Sequence, residues 1–220
     1  MKNLIVYPIS NQSVDLYENI KDTNRSFDFA CIYYGKDKTV ETEIKDKCAL
    51  FITEGWEKIR KYDIIYRCFQ DKLDFFHSYD HIWIPDNDMK MSNSDIEIMF
   101  NIANENNFDL CQPSIVGHCV YDFLRYPGPD SADFREIDFV EVMCPLFNKN
   151  SLFKCFTTFS GAESAWGLDL VWRTFLNRQN MAVIYKIFSE HTRPAGQNYS
   201  NFDKSPSQEL GENALKFKSS

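Results

Sequence analysis

The chain lacks the positive charge that phosphate backbones demand. Its 220 residues carry a formal charge of -8, which argues against nucleic-acid binding as the main role. It has no P-loop and no Gly-x-Gly-x-x-Gly, and neither Ser10 nor Ser160-Gly161 forms a nucleophile elbow. Its cysteines (31, 48, 68, 111, 119, 144 and 155) are odd in number and contain no Cys-x-x-Cys pair. Most sit in apolar runs, so they read as buried thiols in a reducing compartment, not as a disulfide framework or zinc site. His77, His81 and His118 have no metal-ligand spacing with one another. No apolar run approaches membrane-spanning length, and the opening stretch through Pro8 is too short for a signal peptide. No repeat is visible. A soluble, cytoplasmic protein is expected.

Large rings are plentiful. Aromatics make up 15% of the chain, with 19 Phe and 11 Tyr, so rings must carry much of the packing. The length suits one domain with a sizeable core. The expected division is a single domain over 1–196 and a polar, mobile tail over 197–220, broken by Ser205-Pro206-Ser207.

Apolar runs at 4–9, 27–34, 48–52, 81–85, 110–116 and 181–188 read as strands. Residues 10–13 read as a turn into a short helix, and 36–47 as a charged loop. Ile59, Tyr62, Tyr66, Phe69, Leu73 and Phe76 recur at steps of three and four and predict one continuous helix. Ser94 with Glu97 reads as a capping box for a helix burying Ile96, Met99, Phe100 and Ala103. Residues 126–130 are a surface loop, and 137–147 an apolar strand with Glu141 embedded in it. Helical signals resume at Asn148, and again after Gly167 with Leu168, Val171, Trp172 and Phe175. Strands alternating with helices predict an α/β sandwich around a mostly parallel sheet.

One stretch carries most of the chemistry. In His81-Ile82-Trp83-Ile84-Pro85-Asp86-Asn87-Asp88 an apolar run ends in two aspartates two positions apart. Continued at strand period, the pair would face the same side. Crowded carboxylates repel and resist desolvation, so a cation between or beside them is the natural companion. Ligands of open α/β sheets bind outside the carboxyl ends of the strands, where this pair falls. The ordinary alternative is a solvated turn. Glu141 needs a partner or a raised pKa, and Arg125 and Arg135 are candidate partners.

Several blocks follow in a familiar order. They are Lys61-Tyr62 with Arg67, Asp86-Asn87-Asp88, residues 110–114, the block 139–147 around Glu141, Ala165-Trp166-Gly167-Leu168-Asp169, and His191. Over roughly residues 50–196 this succession resembles a glycosyltransferase-like family, catalogued as a domain of unknown function, from plants and bacteria. More distantly it is similar to metal-dependent galactosyltransferases of the GT-A fold. The acidic cluster usual after the Trp-Gly pair is reduced here to Asp169, and the first 50 residues match poorly.

The resemblance implies a GT-A-type, Rossmann-like three-layer sandwich and a nucleotide diphosphate sugar donor held through a divalent cation. It implies Asp86, Asp88 and His191 as metal ligands, with Asp86 alternatively touching ribose or metal-bound water. Manganese is favoured over magnesium because it tolerates mixed oxygen and imidazole ligation. Tyr7, Lys61, Arg67, Asp86 and Asn87 are the expected donor-side residues, and Glu163 and Trp166 the acceptor-side ones. Asp169, off the apolar stripe in the first turn of its helix, is expected ionised by the helix dipole and acting as general base. The ordinary alternatives are a solvated loop histidine for His191, a capping carboxylate for Asp169, a core ring for Trp166, a solvated loop acid for Glu163 and surface cations for Lys61 and Arg67. The expected activity is transfer of a hexose, with inversion, to a saccharide or glycolipid acceptor. Peripheral membrane contact is left open. The rivals are a sugar nucleotidyltransferase, which would need a Gly-rich basic loop that residues 7–12 lack, and a non-catalytic carbohydrate-binding relative.

Overall fold

The computed structural model describes residues 1–10, 16–53, 60–194 and 203–216. Parts of the expected 10–13 turn, Ile59, and 197–202 and 217–220 of the expected tail lie outside the described residues. Strands β1 (Asn3–Ile9), β2 (Phe27–Tyr33), β3 (Leu50–Thr53) and β4 (His81–Trp83) pair in parallel, in the order β3-β2-β1-β4. The sheet continues through β8 (Leu146–Asn148), β6 (Leu110–Gly117) and β9 (Met181–His191) to β5 (Met89–Lys90), with β7 (Phe134–Glu136) also on β9. β8 runs antiparallel between β4 and β6, whereas β6 and β9 are parallel.

Alternation along β1 sends its side chains to two cores. Ile5, Tyr7 and Ile9 join Phe29, Trp83 and the apolar face of α4 (Asn93–Glu105), with Ile20 of α1 (Tyr17–Lys21) and Ile44 of α2 (Lys38–Ile44). Leu4 and Val6 join Ile82 and the helices α3 (Lys61–Phe69), α5 (Lys149–Cys155) and α6 (Leu168–Phe175) on the other face. The result is a three-layer α/β/α sandwich around a mostly parallel sheet. Rings fill the second core, where Trp172 meets Tyr62, Phe147 and Phe159 at centroid distances of 5.1–5.9 Å.

Local differences from the sequence reading have physical causes. Residues 38–44 form a helix, not a loop; only Ile44 of it is buried, so no stripe was there to see. The expected long helix stops at Phe69 and resumes as a 3-10 segment, Leu73–Ser78, after the polar break at 70–72. Ser92, not Ser94, caps α4 by accepting from the Asp95 N–H, while Glu97 accepts from Ser26. Only Leu146–Asn148 of 137–147 is strand, so Glu141 lies in irregular backbone. Within the expected tail, Pro206–Lys216 forms helix α7, whose buried residues are the polar Glu209 and Asn213. It docks through hydrogen bonds, which is why no apolar face marks it. None of the seven cysteines forms a disulfide, and five of them are buried.

Candidate active site

Beyond Trp83 the chain stays extended through Pro85 and turns at Asn87-Asp88 into β5, closed by the Met89 N–H donating to the Asp86 carbonyl (3.3 Å). That turn replaces the expected strand period, so the two aspartates meet different cations. Asp86, its side chain 38% exposed, pairs with Lys61 (2.5 Å). The Lys61 ammonium also donates to the carbonyls of Val142 (2.6 Å) and Met143 (3.0 Å). Burial lifts the Asp86 carboxyl above its ordinary range; Lys61 opposes the lift and Asp88 adds to it.

Asp88 faces His191 Nε2 (3.4 Å) and Arg193 Nε (3.3 Å). Burial works to raise it, but His191 and Arg193 together hold it below its usual value. His191, at the end of β9, donates from Nδ1 to the His118 carbonyl (2.6 Å), leaving Nε2 as the nitrogen turned to the aspartate. Close packing of β6 on β9 makes this possible. Gly117 has φ +90, and a Cβ there would stand 2.6 Å from the His191 carbonyl oxygen.

Asp88 and His191 fit a divalent cation. A backbone carbonyl orienting the distal nitrogen is how metal-ligating histidines are held. Two neighbouring ligands each about 2.1 Å from one ion stand about 3 Å apart, close to the separation here. Among the described residues no cluster of three or more His, Cys, Asp or Glu is arranged for a metal.

Across the site, Asp169 lies in the first turn of α6, behind Gly167 at φ +89. Its Oδ1 accepts the Leu170 N–H (2.9 Å). Burial outweighs that hydrogen bond and the helix dipole and pushes the carboxyl up to about 6. Glu141 is pushed up to about 7 by burial, with Asp169 and Asp86 adding to the rise. Its Oε2 is buried without a hydrogen-bond partner. The expected arginine partners are elsewhere: Arg125 pairs with Asp122, and Arg135 is exposed on β7. Trp166, three residues before Asp169, is 42% exposed.

Three expected contacts are corrected. Tyr7 is 0% exposed, so it offers no surface to a donor; its hydroxyl donates to the Asn87 carbonyl (3.2 Å) and braces the turn. Arg67 pairs with Asp63 one helical turn away (2.7 Å), and Asp63 accepts the Gly161 N–H, away from the aspartate turn. Glu163 is buried against Arg60 (3.1 Å) and the Asp203 N–H (2.8 Å), so it does not face an acceptor. Sequence reasoning missed Arg193, which also donates to the Asn87 side chain (2.6 Å), and Tyr34, which accepts from Asn87 (2.9 Å). A cation two residues after His191 was the available signal for Arg193; nothing local marks Tyr34.

No family model and no curated protein matches the chain. Solved structures of the S. aureus glycosyltransferase TarS align with 99% of it. TarS 1-349 in complex with UDP-GlcNAc superposes at a TM-score of 0.63 with 14% identity, and TarS 1-349 at 0.59 with 12%. The longer TarS structure gives 0.58 with 11%. The chain spans 65%, 72% and 44% of those three chains respectively. At such identity the likeness is one of fold alone, a GT-A-like α/β sandwich. Among the described residues no helix is long and apolar enough to cross a membrane.

Proposed function

We propose that this chain is a nucleotide-sugar glycosyltransferase that moves a hexose from a nucleoside diphosphate to a saccharide or glycolipid acceptor, with inversion. One observation carries the reading. Carboxylates of opposite character gather at one end of the sheet, Asp88 with His191 and Arg193 on one side, Asp169 with Glu141 on the other. Lys61 and Arg193 supply positive charge toward which a diphosphate is drawn. Asp169 takes the proton of the acceptor hydroxyl as the new bond forms, and Trp166 gives a flat apolar face for a sugar ring. A divalent cation on Asp88 and His191, with manganese favoured, would act as Lewis acid on the departing diphosphate. The UDP-GlcNAc held by TarS supports a uridine diphosphate sugar as the first donor to try. Seven cysteines held as thiols, most of them buried, support a reducing, cytoplasmic setting.

A second reading has its own observation. Lys61 and Arg193 already neutralise Asp86 and Asp88, which favours binding of the donor, or of a carbohydrate alone, without a metal. A thermal-shift screen of nucleotide sugars with and without manganese separates the two. The proposal expects manganese to raise the melting temperature when a nucleoside diphosphate is present, much less in Asp88→Ala, with His191→Ala between them. An undiminished response in Asp88→Ala removes Asp88 from the site. Donor binding indifferent to manganese, with no nucleotide released, gives the second reading the field.

A further inference from the structure

The carboxylate of Glu209 on α7 is almost fully buried and accepts four hydrogen bonds from one short loop. The donors are the Glu163 N–H (2.8 Å), the Ser164 N–H and hydroxyl (2.6 Å each) and the Ala165 N–H (3.3 Å). Ala165 lies at φ 64, in the left-handed region, and with that residue the loop's successive amides converge on the carboxylate. One turn further along α7, Asn213 donates to the Trp166 carbonyl (2.9 Å). Leu210 sits over Gly167, where a Cβ would come within 2.9 Å of its Cδ1 and 3.2 Å of its Cα. Every residue from 163 to 167 therefore touches α7, and Asp169 follows two residues later. Glu163 extends the tie. It accepts from the Asp203 and Lys204 N–H groups and pairs with Arg60, the residue before Lys61.

We infer that α7 is a latch that sets the Trp166–Asp169 block, and that Glu209 is a positioning residue for the acceptor half of the reaction. This rests on the glycosyltransferase reading and adds to it the element that shapes the acceptor side. The form of the contact argues for positioning over bulk stability. The helix buries polar groups against one loop and brings little apolar area to either core. Removing Glu209 leaves three backbone N–H groups and a hydroxyl without their acceptor, in a loop whose left-handed residue is held by that acceptor. The loop then relaxes, and Trp166 and Asp169 move with it. A displacement on the order of 1 Å at a reacting group costs up to about a hundredfold in rate.

The test compares Glu209→Gln, Glu209→Ala and Asn213→Ala in the full chain. Amide hydrogen exchange at 163–165 is read beside the donor dissociation constant and the acceptor kcat and KM. The latch predicts faster exchange confined to that loop, donor affinity within about twofold of wild type, and acceptor kcat/KM lower by about tenfold to a hundredfold. Asn213→Ala should follow the same pattern more weakly. Unchanged exchange at 163–165 overturns the latch. Faster exchange with unchanged transfer overturns positioning, as does an equal loss of donor and acceptor parameters that tracks the loss of folded protein. A wild-type chain that binds no nucleotide sugar sinks the glycosyltransferase reading and the acceptor role with it, and the exchange data alone then decide whether α7 is a latch.

Discussion

The two sides of the site use the same residue type to opposite ends. Asp88 is met by His191 and Arg193 and held below the ordinary carboxylate range. Asp169 has no ion-pair partner among the described residues and accepts the N–H of Leu170, and burial lifts it to about 6. Glu141 beside it rises to about 7. Cationic neighbours make the first a standing negative charge that suits a cation or a diphosphate clamp. Burial without a cation makes the second pair groups that exchange protons near neutrality, as general bases must. The difference is one of neighbours, and it divides the labour of a transfer reaction between stabilising a leaving group and accepting a proton.

The strongest way to break that division is Asp169→Asn. The amide keeps shape and capping ability but cannot accept the acceptor's proton. Transfer should fall by a factor on the order of hundreds or more, with donor and metal binding near wild type. In the wild type, kcat/KM should rise with pH through about 6 and then level, because the base works only after losing its proton. An Asn variant that transfers at nearly the normal rate, or a wild-type profile flat from pH 5 to 8, removes Asp169 from the role. A variant that merely unfolds restores the capping role.

Glu141→Gln sharpens the contrast through stability. An acid whose folded value exceeds its unfolded one binds its proton more tightly when folded. It therefore subtracts stability as pH rises from about 4.5 to about 7, and the loss is complete above. The distance between those values corresponds to about 3 kcal/mol at most, or several degrees of melting temperature for a chain of this size. With divalent metal chelated, the Gln variant should melt above wild type at pH 8 and level with it near pH 4. An equal difference at both pH values would show that Glu141 is not the strained acid of the site.

Much of this frame was legible because it is made of apolar alternation. β1 and β2 are near-continuous apolar runs, and the stripe of α6 places Trp172 in the core. The Asp86-Asn87-Asp88 signal was legible because an apolar strand has few reasons to end in two carboxylates. Glu141 was legible as a buried charge in want of a partner, though not as a neighbour of Asp169, since the fold of 142–168 brings them together. What stayed hidden is held by polar contacts between distant segments. Glu163 looked like an acceptor-side acid because nothing nearby in sequence announces Arg60 or the backbone at 203–204. Residues 206–216 looked like tail because Glu209 and Asn213 bury no apolar surface, and hydrogen bonds leave no periodicity. Tyr7 looked like a donor contact because a strand-end tyrosine beside the site is indistinguishable, by sequence, from one beneath it.

That last case yields the smallest effect and the cleanest separation of contact from support. Tyr7 is fully buried, and its hydroxyl donates at 3.2 Å to the Asn87 carbonyl in the turn that presents Asp86 and Asp88. Tyr7→Phe keeps the ring in its packing and deletes the hydroxyl. The lost hydrogen bond is worth about 1 kcal/mol net, which for this chain length corresponds to roughly 2–4 °C of melting temperature. Donor affinity should change by no more than about threefold, since the turn is also held by Arg193 and Tyr34 on the Asn87 side chain and a loss below 1 kcal/mol shifts a binding constant by less than a factor of ten. A direct donor contact would behave the other way round. Affinity would drop tenfold or more while the melting curve of the free protein barely moved. Measuring both on one preparation therefore decides whether the residue lies in the pocket or beneath it, and the buried ring commits the structure to the second.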